Sequence, residues 1–187
     1  MGIEKYIKVV DNFLSPEQCS AIIRTFKDKS FNVAKIIKSD GKEIVDNDTR
    51  KVSEYSLNSN KSYTETHWLR FLTYRIALAG FRYGVDFKLE QQISSVTGIQ
   101  LLNYSSGGFY KKHVDACETA YRVLSFVIML NDDYEGGSLN FFEGDELIQE
   151  VKPKAGRLII WPSNFLYPHQ ASTVKSGRRF VIISWMK

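Results

Sequence analysis

The feature that most constrains the fold is a series of short, apolar-rich segments that follows residue 99. Seven segments have the length of β-strands, and they span 100–104, 110–115, 121–130, 138–142, 146–151, 157–161 and 179–185. Polar and glycine-containing turns separate them, most clearly at 132–137 and 143–145. Closely spaced short strands with turn residues between them are typical of a double-sheet jelly roll or a barrel.

Two helical patterns come before these strands. Ser-Pro-Glu-Gln at 15–18 has the composition of an N-cap and capping box, and it predicts the start of the first helix. A longer helix is predicted over 64–83, with Gly80 and Gly84 marking its end. The sequence therefore predicts an α+β, mainly β fold in which N-terminal helices brace a jelly roll. Without a repeat or linker, we interpret 1–187 as a single domain.

Composition and charge exclude several classes of protein. Hydrophobic residues make up 43% of the chain, and the formal net charge is +4. Lysine and arginine are scattered, which does not favour a nucleic-acid partner. No apolar run is long enough for a membrane span, and no leader pattern opens the chain, so we expect no membrane partner. Two distant cysteines, Cys19 and Cys117, favour a reducing, cytoplasmic location, and Cys117 is interpreted as a packing residue.

The chain has three histidines, and two of them stand where a metal site would need them. His113 and Asp115 lie two residues apart on a predicted strand, so their side chains are expected on one face. His169 follows a loop and leaves room for strands that return it to His113. Two histidines and one carboxylate, with open positions, form the facial arrangement of non-haem Fe(II) oxygenases. His67, near the start of the long helix, is interpreted as a surface or core-edge residue.

The alternative to a metal site is a jelly roll with two buried histidines that hydrogen-bond to the backbone. This alternative leaves the carboxylate of Asp115 on an inward face without a partner, where an unpaired charge is costly. A metal ion supplies that partner.

The last predicted strand starts with two arginines and is apolar on both faces. Arg179 shares one face with Val181, Ile183 and Trp185. Arginine stays charged, so a guanidinium at the start of such a strand requires an anionic partner. A dicarboxylate held by a bidentate fork would fit. Arg178 is interpreted as an exposed strand-end arginine.

Several motifs, taken in order, resemble the prolyl 4-hydroxylase branch of the Fe(II)- and 2-oxoglutarate-dependent dioxygenases. They are VVDNFLSPEQC at 9–19, Tyr104-x5-Tyr110-x2-His113-Val114-Asp115, Met129-Leu130-Asn131, Gly136-Gly137-Ser138-Leu139, VKPKAGR at 151–157, Pro168-His169 and Gly177-x-Arg179-Phe180 continuing to Trp185. The resemblance covers most of the chain and implies the double-stranded β-helix fold of that family.

The resemblance implies a complete catalytic set. His113, Asp115 and His169 would hold Fe(II), and Arg179 would bind the far carboxylate of the cosubstrate 2-oxoglutarate. With O2 as second cosubstrate and ascorbate as an optional reductant, the implied reaction hydroxylates an unactivated C–H bond and releases succinate and CO2. The implied substrate is a prolyl residue in a protein or peptide.

Further residues receive roles from the same resemblance. Tyr104 and Trp185 would line the cosubstrate pocket, and Tyr110 would lie nearer the substrate mouth. The segment 31–61, interpreted as two exposed strands joined by a loop, corresponds to a region that grips the substrate. Within it Arg50 is a candidate substrate contact, with an exposed loop arginine as the alternative.

The sequence departs from the family at one position. Oxygen-sensing prolyl hydroxylases have a tyrosine on the strand before Leu-Asn that helps to bind the far carboxylate, and Met129 stands there in this chain. Ser125 and Tyr104 are the candidates that we consider as replacement donors.

Other functions remain open at this point. A free amino acid is a second substrate class for the same chemistry. Nucleobase demethylases of the superfamily carry another arginine six residues after the first, and Trp185 stands there. A non-catalytic jelly-roll binding module is the third alternative, although the intact triad and Arg179 argue against it.

Overall fold

The structure, a computed structural model, describes residues 2–37, 41–59, 61–89, 93–116 and 121–187. A 3₁₀ helix and two α-helices are assigned there, at Ile3–Tyr6, Pro16–Phe26 (α1) and Tyr63–Phe87 (α2). The strands that precede α2 are β1 Lys8–Val10, β2 Asn32–Val33, β3 Ile36–Ile37, β4 Glu43–Ile44, β5 Arg50–Lys51 and β6 Ser53–Ser56. Those that follow it are β7 Val96–Tyr104, β8 Phe109–His113, β9 Leu124–Met129, β10 Glu135–Gly136, β11 Leu139–Glu143, β12 Glu146–Val151, β13 Leu158–Pro162, β14 His169–Ala171, β15 Val174–Ser176 and β16 Arg179–Met186.

Two antiparallel sheets form the body of the protein. The larger has the strand order β1-β13-β9-β16-β7-β6-β2, and the smaller has the order β12-β11-β14-β8-β5. A buried cluster joins their inner faces, with Leu102, Met129 and Val181 from the larger sheet and Leu139 and Phe141 from the smaller. Two sheets that face each other across a shared apolar core confirm the predicted jelly roll.

Both α-helices cover the outer face of the larger sheet. A second buried cluster contains Phe26 of α1 and Leu72 and Ile76 of α2, together with Phe126 and Ile182 from the sheet. The helices therefore leave the inner face, between the sheets, free for a site. This confirms the α+β, mainly β fold with N-terminal helices bracing the jelly roll, while the single domain over 1–187 stays a prediction.

The capping-box prediction for α1 is confirmed. The backbone N–H of Gln18 donates to the Ser15 hydroxyl at 3.2 Å, and the Ser15 N–H donates to the Gln18 side chain at 2.9 Å. Pro16 occupies the first turn, where its missing N–H removes no helical hydrogen bond.

The predicted end of α2 was wrong, because the helix continues through Gly80 and Gly84 to Phe87. A Cβ atom at position 80 would collide with the Sδ of Met186 and lie 3.2 Å from the Cζ of Phe126. Gly80 therefore permits close packing of the helix on the sheet instead of terminating it. The actual C-cap is Lys88, which has a left-handed conformation with φ 58°.

Other differences concern short strands. Near the N-terminus, the 3₁₀ helix is followed by the three residues of β1, which are not among the strands predicted above. The described residues of the segment 31–61 form five short strands, where we predicted two. Its β6 and β2 extend the larger sheet and β5 extends the smaller. Elements of two or three residues are too short to show a hydrophobic period, so their sequence gives no signal.

Two features bear on cell location. No helix within the described ranges is long and apolar enough to cross a membrane. Cys19 is a free, buried thiol on α1, whereas Cys117 lies outside the described residues.

Candidate metal centre and cosubstrate pocket

His113 and His169 meet because β8 and β14 are neighbours in the smaller sheet. In the antiparallel register the two histidines are direct cross-strand partners. Such partners have Cβ atoms about 4.5–5.5 Å apart, so their side chains can share one ion. Sequence separation is therefore unimportant once the two strands pair.

Asp115 lies beside the two histidines, but it is not placed there by a strand as predicted. β8 ends at His113, so the expectation that both residues occupy one strand face was wrong. The chain is fixed just after Asp115, where the Ala116 N–H donates to the Ser163 carbonyl at 3.0 Å. The carboxylate is nevertheless placed between the two imidazoles.

The three side chains present their acceptor atoms to a common centre. Asp115 Oδ1 is 3.6 Å from His113 Nε2, and Asp115 Oδ2 is 3.7 Å from His169 Nε2. The Nδ1 of His113 lies 2.8 Å from the Lys111 carbonyl, and the Nδ1 of His169 lies 3.0 Å from the Tyr167 carbonyl. Each Nδ1 therefore donates its proton to the backbone, which leaves both Nε2 lone pairs directed at the centre.

This geometry fits a metal ion. All three offered ligand atoms lie within 4.8 Å of one another. Two atoms that each bind one ion at about 2.1 Å lie roughly 3–4 Å apart, which is the spacing between Asp115 and each histidine. Without a cation, the carboxylate and two imidazole lone pairs would repel one another. Two imidazoles and one carboxylate suit Fe(II), with further coordination positions left open.

The protonation states also suit a metal centre. Burial opposes the charge of Asp115, but His169, His113 and the Ser125 hydroxyl outweigh it and lower the pKa of that carboxyl below its usual range. Burial, together with the nearby His113, lowers the pKa of His169 to about 4. At neutral pH Asp115 is therefore ionised and His169 is neutral, as metal binding requires.

Ser125 supports the triad and not the cosubstrate carboxylate. Its hydroxyl lies 2.7 Å from the Ser163 hydroxyl, and both residues are buried. On the larger sheet it pairs with Trp185, at the opposite end of β16 from Arg179. The interpretation of Ser125 as a replacement for the family tyrosine was therefore wrong.

One cavity of about 560 Å³ contains the whole candidate site. Its lining includes eight residues that the sequence singled out for a role, namely Arg50, Tyr104, Tyr110, His113, Asp115, His169, Arg179 and Trp185. This volume lies in the range of small-molecule and cofactor sites, so the cavity is large enough for a five-carbon diacid. His67 lies outside this lining, exposed on α2, with its ring stacked on Phe71.

Arg179 is a buried cation without an anion among the described residues. Its side chain is 1% exposed, and its Nε and Nη1 have no hydrogen-bond partner there. The guanidinium lies 4.6 Å from the centre of the Tyr104 ring, which compensates only part of the lost hydration. Arg178 is exposed, as predicted. A carboxylate bound at Arg179 would satisfy these donors, so 2-oxoglutarate fits this end of the site.

Arg50 and Tyr110 form a wall beside the triad. The Tyr110 ring stacks on His113 with centroids 3.5 Å apart, and the Arg50 guanidinium lies 4.8 Å from the Tyr110 ring. Arg50 is 8% exposed, donates to the Lys35 carbonyl at 2.7 Å and pairs with Glu54 at 3.4 Å. The alternative of an exposed loop arginine was therefore wrong.

The sequence did not reveal two other residues of the cavity. Arg122 lies 3.7 Å from the centre of the Trp185 ring and donates to the Asp115 carbonyl at 3.0 Å. Trp161 packs edge-on against His169, with centroids 4.8 Å apart. Both residues lie in apolar strands or loops whose pattern is the same with or without a site, so no spacing distinguishes them.

Comparison with known proteins agrees with this geometry. Residues 99–187 match the model of the 2OG-Fe(II) oxygenase superfamily. A PKHD-type hydroxylase of Synechococcus sp. (strain CC9605) is 33% identical over 99 residues, which are 51% of this chain and 44% of that protein. Human prolyl 3-hydroxylase 3 is 39% identical over 67 residues, which are 35% of this chain and 9% of that protein.

Solved structures share the fold over nearly the whole chain. A Pseudomonas putida prolyl-4-hydroxylase has a TM-score of 0.75 at 20% identity and covers 97% of this chain and 92% of its own. A Trichoplax adhaerens prolyl hydroxylase, solved with a hypoxia inducible factor peptide fragment, has a TM-score of 0.72 at 16% identity, covering 97% and 83%. At these identities the likeness establishes the fold alone.

The chain spans less than half the length of the curated relatives described above. The superfamily match nevertheless includes His169 and Arg179 as well as the His113–Asp115 pair. Fe(II), 2-oxoglutarate and O2 are the cofactor and cosubstrates that this family implies, and the triad fits the iron. The match over residues 99–187, the triad and the jelly roll together make the chain similar to the 2OG-Fe(II) oxygenase superfamily, with a prolyl-4-hydroxylase-like fold.

Proposed function

We propose that this chain is a 2-oxoglutarate-dependent oxygenase that hydroxylates a prolyl residue in a protein or peptide. One observation carries the proposal: a single cavity contains both a His-Asp-His triad and a buried, uncompensated arginine. A purely structural metal site would explain the triad but not the buried arginine. The two together suit a ligand with a metal-chelating end and an anionic end.

The residues of the cavity have distinct roles in the proposed reaction. Fe(II) with 2-oxoglutarate and O2 would supply the oxidising power, with succinate and CO2 as the other products. His113, Asp115 and His169 would hold the iron. Arg179 binds the far carboxylate and so orients the cosubstrate. Tyr110, stacked on His113, excludes water from that face of the centre.

The substrate assignment is supported by the mouth of the cavity and by the relatives. Val33 and Ile37 line the cavity and are 50% and 44% exposed, so an apolar chain segment could cover them. The relatives include prolyl hydroxylases, one of them solved with a peptide fragment. A proline-containing peptide suits this surface better than a small free amino acid. A cytoplasmic location belongs to the same proposal.

The test is turnover with identified products. Purified protein is supplied with Fe(II), 2-oxoglutarate, O2, ascorbate and a library of proline-containing peptides. We expect succinate release and the gain of one oxygen atom at a prolyl residue, whose position mass spectrometry and product standards identify. His113→Ala is the inactive control.

The possible outcomes test the oxygenase activity and the prolyl substrate separately. Succinate release no higher than in the control, from protein that binds iron, would refute the oxygenase activity. Succinate release without a hydroxylated peptide would refute the prolyl substrate while leaving the oxygenase chemistry in place.

A further inference from the structure

Ser163, directly after β13, holds the chain segment that carries Asp115. Its backbone N–H donates to the Val123 carbonyl at 3.0 Å, which continues the antiparallel pairing of β13 with β9 by one residue. Its carbonyl accepts the N–H of Ala116 at 3.0 Å. Asp115 lies beyond the end of β8, so the pairing of that strand does not fix its position. Ser163 therefore anchors this segment to the larger sheet.

The hydroxyl of Ser163 makes a second connection to the same metal ligand. It lies 2.7 Å from the hydroxyl of Ser125, and the Ser125 hydroxyl is hydrogen-bonded to the carboxylate of Asp115. Ser125 and Ser163 are both 1% exposed, so bulk water does not compete for these hydrogen bonds. The backbone and the side chain of Ser163 thus reach Asp115 by separate routes.

The carboxylate sets the direction of this chain of hydroxyls. Asp115 is ionised at neutral pH, and an ionised carboxylate only accepts hydrogen bonds. Ser125 has one hydroxyl proton and donates it to Asp115, so the hydrogen bond between the two serines is donated by Ser163. A hydroxyl that accepts one hydrogen bond becomes a stronger donor of another. The Ser163 hydroxyl therefore strengthens the hydrogen bond that orients the Asp115 carboxylate.

The metal centre has a physical need for this support. Without a cation, the carboxylate of Asp115 and the Nε2 lone pairs of His113 and His169 repel one another, and a carboxylate that is not held can turn its oxygens away. Partners that hold a metal ligand in place before the ion binds remove this reorganisation from the cost of binding.

We propose that Ser163 is a positioning residue of the metal centre and that its hydroxyl acts on Asp115 through Ser125. The proposal rests on the function proposed above, because that function gives the triad a metal ion to bind. Ser163 does not line the cavity, so it acts on the metal only through other residues.

The test measures metal binding in a cycle of variants. Ser163→Ala removes the hydroxyl and keeps the backbone carbonyl, and it is studied alone and combined with Ser125→Ala. Mn(II) affinity is measured by calorimetry without 2-oxoglutarate. We expect Ser163→Ala to weaken Mn(II) binding about 3- to 10-fold, the effect of one neutral hydrogen bond. The double variant should bind Mn(II) as Ser125→Ala does, because a hydroxyl that acts only through Ser125 has no effect without it.

A second readout reports the arrangement of the ligands. The same variants are loaded with Co(II), whose visible absorption spectrum changes with ligand geometry. We expect Ser163→Ala and Ser125→Ala to change this spectrum in the same direction. A loss of general stability alone would leave the spectrum of the folded, loaded protein unchanged.

The matched control is Ser184→Ala. Ser184 is also fully buried, and its hydroxyl donates to the Gly98 carbonyl at 2.8 Å, but it does not line the cavity. Urea unfolding of the metal-free proteins measures the general effect of removing a buried serine hydroxyl. We expect the control to lose stability as Ser163→Ala does, while its Mn(II) affinity and Co(II) spectrum stay at the wild-type values.

Each outcome decides the proposal. An Mn(II) affinity of Ser163→Ala within about twofold of wild type would overturn it. Losses that add in the double variant would also overturn it, since Ser163 would then act independently of Ser125. If Ser184→Ala weakens Mn(II) binding as much as Ser163→Ala does, the effect is one of stability and the proposal fails. In these cases the wild type still binds Mn(II) and the proposed function stands, whereas a wild type that binds no Mn(II) would overturn both.

Discussion

Replacing Arg179 by methionine separates the stability of the fold from cosubstrate binding. The guanidinium is 1% exposed, and its Nε and Nη1 have no partner among the described residues. Two unsatisfied buried atoms cost about 2–6 kcal/mol, and the contact with the Tyr104 ring returns about 1–2 kcal/mol. Methionine keeps the apolar stem and removes the charge. We therefore expect the unfolding free energy of the ligand-free protein to rise by about 1–4 kcal/mol.

2-Oxoglutarate is expected to stabilise the wild type and not the variant. Thermal unfolding is followed with Mn(II) present, with and without 2-oxoglutarate. Each kcal/mol shifts the midpoint by about 2–4 °C for a chain of this size, so ligand-free Arg179→Met should unfold several degrees above wild type. Ligand at 100 times its dissociation constant adds about 2.7 kcal/mol to the wild type and nothing to the variant. Arg178→Met, one residue away and exposed, is the control and should change neither value.

The reasoning would be refuted by the opposite pair of results. An Arg179→Met protein that is less stable than wild type without ligand, yet still stabilised by 2-oxoglutarate, would show that Arg179 serves the fold. In that case the Arg179 nitrogens would have hydrogen-bond partners in the folded protein, and other residues would bind the far carboxylate.

Three further predictions follow from other contacts. Ser125→Ala should weaken Mn(II) binding about 10-fold by calorimetry, because Asp115 loses the hydroxyl that orients it; unchanged affinity would contradict this. Gly80→Ala should lower the unfolding free energy in urea by about 1–3 kcal/mol, since its methyl group collides with Met186; a more stable variant would contradict the close packing. Burial raises the pKa of Cys19 to about 11, so peptide mapping should find this thiol unalkylated at pH 8 in native protein and alkylated after denaturation; native labelling would contradict its burial.

The sequence predicts the fold well where elements are long or repeat a period. Strands β9 and β16 contain apolar runs of four residues, and α1 has its capping box, so their positions follow from local patterns. β14, which carries His169, has only three residues and no period of its own. Its place beside β8 is decided by pairing with strands that are distant in sequence, which no local pattern describes.

Glycine shows why a local rule can mislead. Gly80 has the sequence appearance of a helix end, because glycine is a weak helix former. In the structure it lies inside α2 at the contact with Phe126 and Met186. The helix therefore loses some intrinsic propensity and gains close packing on the sheet, and tertiary contact outweighs the local preference.

The metal ligands could be predicted from the sequence, but the buried setting of Arg50 could not, and the reason is chemical. Metal ligands belong to few residue types, and His113 and Asp115 keep a short fixed offset even though β8 ends between them. Arg50 is buried by contacts with residues distant in sequence, because its guanidinium donates to the Lys35 carbonyl and lies 4.8 Å from the centre of the Tyr110 ring. An arginine beside a polar turn has the same sequence appearance whether or not these contacts form, so only coordinates reveal them.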